Sequence, residues 1–176
     1  MSNFCVWLTG LPASGKTTLA LALDKELREM GLRPVVLDGD DLRKFLYPEL
    51  GFSRKARQAQ AERATYLATL IQKAGGVPIV ALISPYRADR AWARQQIKGF
   101  VEVFVDCPPI ICAQRDPKGL WERAKRGELA EFTGVSDPYE KPSEPEVVVF
   151  SGSYGPSQGV KLVLAGLGVL GHLDVK

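Results

Sequence analysis

The chain has 176 residues, of which 45% are hydrophobic and 24% charged, with a net charge of +3. That balance excludes a disordered chain and fits one domain large enough to bury a core without disulfide or metal staples. No apolar run reaches the roughly 18 residues of a membrane-spanning helix, and the mild basic surplus forms no polyanion-binding stripe, so neither a membrane nor a nucleic acid is an expected partner. The start, MSNFCVWLTG, enters a strand pattern at once with no basic leader or cleavage site, which sets the expectation of a cytoplasmic protein.

FCVWLT at 4–9 is a short β-branched and aromatic run that reads as a buried strand. From Thr18, the apolar residues Leu19, Leu23, Leu27 and Met30 recur at helical spacing and stop at Gly31, a C-cap. PVVLD at 34–38 is a second strand, followed by Asp38, Asp40 and Asp41 in LDGDDLR, with Asp41 expected to cap a helix starting near Leu42. Ser53 caps a further helix, whose apolar side carries Leu67, Leu70, Ile71 and Ala74 before a Gly pair. VPIVALI at 77–83 and VEVFVD at 101–106 complete the strand runs. Residues 116–146 are dense in charge, Gly and Pro without a strand pattern and read as a lid; a Gly/Ser loop spans 151–159 and an apolar helix 160–170. The alternation predicts an α/β fold, a P-loop NTPase-type parallel sheet flanked by helices on both faces, as a single domain over 1–176. Cys5, Cys107 and Cys112 form no C-x-x-C pair and read as inert thiols; the sole histidine, His172, lies far from every motif.

GLPASGKT at 10–17 matches G-x-x-x-x-G-K-S/T between a strand and a helix, as phosphate binding requires. Its glycines let successive N–H groups and the helix's positive end face an anion. Gly10, Leu11, Pro12, Ala13, Ser14, Gly15, Lys16, Thr17 and Thr18 are therefore expected to cradle MgATP or MgGTP, with Lys16 on the β- and γ-phosphates and the Thr17 hydroxyl on Mg²⁺. Asp38 and Asp40, two apart across a Gly, can aim at one centre, where a carboxylate holds metal-bound water or accepts a proton from an attacking hydroxyl. Asp106 fits either a metal-binding strand end or a turn into the following Pro pair. Arg57 and Gln60 share one helix face. Ser84, Tyr86, Arg87 and Arg90 follow the third strand, a convergence of cations suited to an acceptor with its own anionic groups.

GLPASGKTT, LDGDDLR, LGFS with Arg57, ISPYRADR, VFVDCP, RDPKGL and FTGVSDPYE, in this order from residue 6 to about 147, resemble the adenylylsulfate kinases. The resemblance implies transfer of the γ-phosphoryl of MgATP to the 3′-hydroxyl of adenosine 5′-phosphosulfate (APS), in sulfate assimilation. By matching position, Phe52 and Phe132 resemble the pair that sandwiches the acceptor adenine, and Arg43, Arg57 and Lys118 its phosphosulfate and ribose contacts. Gln60 stands where the family has an asparagine contact, and backbone groups near Ile83 and Ser84 help position the acceptor. Asp40 is similar to the residue that orients or deprotonates the 3′-hydroxyl, Asp38 to a carboxylate of the Mg²⁺ shell, and Arg115 to a contact of the ATP adenine. Ser84 matches a serine given as an active-site residue in some relatives. Asp41 in place of Asn, Glu62 in place of a basic residue and Trp121 in place of Tyr depart from the family pattern. Family members are commonly homodimers, so the resemblance also implies a homodimer. The P-loop alone leaves two other readings, a kinase for another hydroxyl acceptor such as a polynucleotide end, and a regulatory module that binds nucleotide without turnover.

Overall fold

The computed structural model describes residues 3–173. Five strands, β1 (Cys5–Thr9), β2 (Pro34–Asp38), β3 (Val77–Ala81), β4 (Phe100–Asp106) and β5 (Val147–Phe150), form one parallel sheet in the order β2-β3-β1-β4-β5. The helices are α1 (Lys16–Glu29), α2 (Gly39–Phe45), α3 (Arg54–Lys73), α4 (Arg87–Gln96), α5 (Pro109–Arg115), α6 (Leu120–Lys125) and α7 (Pro156–Val169).

A sheet buried on both faces is required by its strands, since every residue of β1 and β3 is buried. On one face Leu19, Leu23 and Leu27 of α1 and Val163 and Leu167 of α7 pack on Val6, Leu8 and Ile79; on the other, Ala61, Ala64 and Ala68 of α3 and Ala93 of α4 pack on Trp7 and Val80. The small α3 residues bring that helix close to the sheet. At Gly166 of α7 an added Cβ would lie 2.5 Å from Val147 Cγ2, so the absence of a side chain there lets α7 seat on β5. Burial at Cys5, Cys107 and Cys112 leaves all three as free thiols, and His172 stacks on Phe4 with ring centroids 5.2 Å apart, a packing role.

Several element boundaries differ from the sequence expectation. The helix after the P-loop begins at Lys16 rather than Thr18, and the third strand ends at Ala81, where Leu82 and Ile83 turn toward the site. VVVF at 147–150 is an edge strand that charge-rich flanks had hidden, and the last helix starts at Pro156, four residues early. The cap of α2 is Asp38, whose carboxylate accepts from Asp40 N at 2.9 Å; Asp41 is already inside the helix and exposed.

Candidate active site

The carboxyl ends of β1, β2 and β3 open into one cavity of about 800 Å³. Crevices at this edge are where parallel sheets hold ligands, because helix N-termini and loop N–H groups converge there. The P-loop lies at its centre, since β1 is the middle strand. Gly10 is dictated by a close approach, as a Cβ there would sit 2.5 Å from the Val105 carbonyl oxygen. Gly15 (φ 97°) and Ala13 (φ 63°) adopt left-handed conformations that turn the loop's N–H groups inward.

Lys16 is buried, and its Nζ donates to the carbonyls of Gly10 (2.9 Å) and Leu11 (2.7 Å). Burial is the dominant influence on this ammonium and pulls its pKa down to about 8. The Thr17 hydroxyl donates to Asp38 Oδ2 at 2.6 Å. Because Asp38 also caps α2, one carboxylate ties the start of α1 to the start of α2. Asp40 extends into the cavity, 70% exposed at its side chain, and pairs with Lys118 of the segment 116–146.

Toward the β2 edge the cavity is lined by Arg43, Phe52, Arg57, Gln60 and Phe132. Arg43 donates to the carbonyls of Leu50 and Gly51, both at 2.7 Å, and to Gln60 Oε1 at 2.6 Å, while Gln60 Nε2 donates to the Gly39 carbonyl at 3.1 Å. All of these acceptors are neutral, so the Arg43 guanidinium is fixed in direction without a carboxylate bonded to it. Partial burial, then the neighbouring Arg57 cation, push its pKa down. Arg57 is itself buried and donates to the Glu131 carbonyl at 2.7 Å, with Asp137 Oδ2 3.5 Å from its Nε; burial lowers its pKa, opposed by Asp137. Both guanidiniums lie over the exposed ring of Phe52, at 4.6 and 5.9 Å from its centroid. Phe132 is buried and meets Trp121 edge-on at 5.4 Å, and Trp121 Nε1 donates to the Pro12 carbonyl at 3.0 Å. The segment 116–146 is thereby fastened to the P-loop.

Toward the β5 edge, Arg115 donates to the Ser151 carbonyl at 2.5 Å, and Ser151 Oγ donates to the Ser14 carbonyl at 2.7 Å. Thr9 donates to the Ile83 carbonyl at 2.7 Å, holding Ile83 at the cavity wall. Among the described residues no group of three or more His, Cys, Asp or Glu forms a metal cage. The pairing of the Thr17 hydroxyl with Asp38 suits an ion such as Mg²⁺, which keeps several waters and takes its remaining ligands from phosphate oxygens.

The structure gathers Pro12, Ala13, Ser14, Gly15, Lys16, Thr17 and Thr18 of the P-loop with Asp38, Asp40, Arg43, Phe52, Arg57, Gln60, Ile83, Arg115, Lys118 and Phe132 around this one cavity, whereas Gly10 and Leu11 lie behind its wall and meet Lys16 through their carbonyls. Ser84 is different: it is buried at φ 42°, its hydroxyl accepts from Trp7 Nε1 at 3.1 Å, and it does not line the cavity. The cations after β3 also depart from expectation. Arg90 is buried and bonds Glu102 at 2.6 Å and the Ser84 and Glu140 carbonyls, and Arg87 donates to the Lys141 carbonyl. They fasten residues 140–141 to α4 and β4, because Glu102 is a buried carboxylate that needs a cation, and neither lines the cavity. Asp106 faces Lys141 at 3.5 Å, outside the cavity wall. Sequence reasoning missed Ser151, Tyr154, Gly155 and Pro156 as cavity residues, for they belong to no motif.

The Adenylylsulphate kinase family matches residues 2–150. A probable adenylyl-sulfate kinase of Pyrococcus abyssi is 46% identical over 173 residues, covering 98% of this chain and 99% of that protein. A probable bifunctional SAT/APS kinase 2 of Sorangium cellulosum is also 46% identical over 173 residues, which are 98% of this chain and 30% of that protein. Among solved structures, the Mycobacterium tuberculosis APS kinase CysC in complex with AMPPNP and APS superposes with a TM-score of 0.90 at 37% identity, covering 95% of this chain and 98% of that one.

Proposed function

The chain belongs to the adenylylsulphate kinase family and phosphorylates APS with ATP, and we propose the following division of labour among its residues as a single P-loop kinase domain with a lid. The P-loop N–H groups and Lys16 take the β- and γ-phosphates of ATP. Lys16 waits as a desolvated ammonium on neutral carbonyls, so exchanging them for phosphate oxygens gains Coulomb energy with little further dehydration cost. The Thr17 hydroxyl and Asp38 would hold Mg²⁺, which would supply positive charge against the phosphates.

APS enters on the β2 side, its adenine against Phe52 and Phe132 and its phosphosulfate on Arg43 and Arg57. The 3′-hydroxyl then lies by Asp40. As the oxygen attacks the γ-phosphorus in line, its proton passes to the Asp40 carboxylate, the bond to the β-phosphate oxygen breaks, and ADP and 3′-phosphoadenosine 5′-phosphosulfate result. Lys118 reaches from the lid to Asp40 and stands within the cavity as a further cation for the acceptor's phosphosulfate and ribose. Ile83 contributes backbone contacts to the acceptor. The buried Ser84 shapes that backbone through its left-handed turn, and in-line transfer needs no phosphoserine. A cytoplasmic location is consistent with ATP as donor, and among the described residues no helix is long and apolar enough to cross a membrane.

One observation carries this reading: a guanidinium with only neutral partners stands beside an exposed aromatic ring in the same cavity as the P-loop, which is what a second, anionic nucleotide demands. An ADP-release assay offering APS, RNA 5′-ends or no acceptor tests it. Turnover with APS alone is expected; equal turnover with RNA ends, or release that no acceptor stimulates, would overturn it.

A further inference from the structure

The family match stops at residue 150, yet the cavity continues beyond it. The sheet order sets β2 and β5 at opposite edges with β1 and its P-loop between them. Arg43 and Asp40 follow β2, whereas Arg115 follows β4 and Tyr154 follows β5. An acceptor on the β2 side leaves the donor's base only the side bounded by Arg115 and the turn at 151–156.

That turn is clamped. Ser151 donates from N to the Asp106 carbonyl at 2.9 Å and from Oγ to the Ser14 carbonyl at 2.7 Å, and its own carbonyl accepts from Arg115. Tyr154 N closes the turn on the Phe150 carbonyl at 2.9 Å. The position of Tyr154 is thus fixed relative to the phosphate-binding backbone. Its ring packs edge-on against Phe150 at 6.4 Å, yet the two remain 43% and 51% exposed. Of the two only Tyr154 lines the cavity, so the part of its ring that Phe150 leaves uncovered is open to a flat ligand there.

We propose that Tyr154 is the donor-base residue of this enzyme. Its ring packs on the purine of ATP in the slot it shares with Arg115, and the Ser151 clamp makes 151–156 the part that sets donor affinity and choice of base. The inference rests on the assignment of the β2 side to APS.

The test compares wild type with Tyr154→Ala and Tyr154→Phe by titration calorimetry with ADP alone and by kinetics with ATP or CTP as donor. In Tyr154→Ala, the ADP Kd and the KM for ATP are expected to rise about five- to a hundredfold, the range of base–aromatic stacking, while kcat and the KM for APS stay within about twofold. The preference for ATP over CTP should shrink in the same variant, and Tyr154→Phe should behave as wild type, since the ring and not the hydroxyl does the packing. An unchanged ADP Kd in Tyr154→Ala, or a KM for APS that rises in parallel, would overturn the proposal. The ADP titration uses no acceptor, so failure of the APS assignment would show separately, as absent turnover with normal ADP binding.

Discussion

Replacing Asp40 by alanine separates chemistry from binding more cleanly than any other change in the site. The carboxylate is 70% exposed and its side-chain partner is Lys118, itself 54% exposed, so the pair contributes at most about 1 kcal/mol to stability. The cap of α2 uses the backbone N of residue 40 and the side chain of Asp38, and the Thr17–Asp38 bond does not involve residue 40 at all. The fold and the donor site should therefore survive the substitution. What is lost is the group proposed to take the proton of the 3′-hydroxyl, and positioned general bases contribute about 10²- to 10⁴-fold, or about 2.7 to 5.5 kcal/mol of barrier. Steady-state kinetics with ATP and APS varied separately should show kcat down by that factor in both Asp40→Ala and Asp40→Asn, with the KM for ATP within about twofold of wild type. A kcat near wild type would remove Asp40 from the chemistry. An equal loss of ATP affinity would mean that it serves the donor site instead.

The remaining predictions concern charge. Gln60→Glu puts a carboxylate where the amide oxygen now lies 2.6 Å from Arg43 Nη2 and compensates the free cation, so the KM for APS should rise about tenfold or more while the KM for ATP holds; an unchanged KM would show that Arg43 does not bind the anion. Lys16 falls from an ordinary pKa of 10.5 to about 8, so between these values the free protein holds fewer protons than the unfolded chain and its stability should rise as pH increases through that window. Phosphate contact restores the proton, and calorimetry at about pH 9 in buffers of different ionisation enthalpy should report proton uptake on ATP binding that Lys16→Met abolishes. Glu102→Ala strips Arg90 of its buried carboxylate, leaving carbonyl partners alone, and should cost about 3 kcal/mol in urea unfolding. A cost below about 1 kcal/mol would show that the pair is not what fastens the lid's end.

Strand runs and helical spacing were readable in the sequence because a parallel sheet buries both faces and leaves continuous apolar stretches such as VPIVA. The P-loop was readable because its glycines answer a backbone constraint that few other sequences meet, seen in the 2.5 Å approach to Val105. The cap of α2 was assigned to Asp41 because three aspartates in four residues offer equivalent capping chemistry, and only the backbone direction after β2 selects Asp38. Arg87 and Arg90 looked like anion ligands because sequence places them at the right sheet edge without showing that Glu102, two turns of chain and one strand away, already claims Arg90. The turn at 151–156 was readable as a Gly/Ser loop but not as part of the site, since its place there depends on contacts with Ser14 and Arg115 that are distant in sequence.

The central claim is that one cavity holds two nucleotides with the acceptor's sugar hydroxyl between Asp40 and the donor's terminal phosphate. A crystal structure with a non-hydrolysable ATP analogue and APS measures this directly. It should show the APS adenine between Phe52 and Phe132, its phosphosulfate on Arg43 and Arg57, and its 3′-oxygen within hydrogen-bond distance of Asp40, in line with the γ-phosphorus. APS bound elsewhere, or its 3′-oxygen facing away from Asp40, would contradict the account.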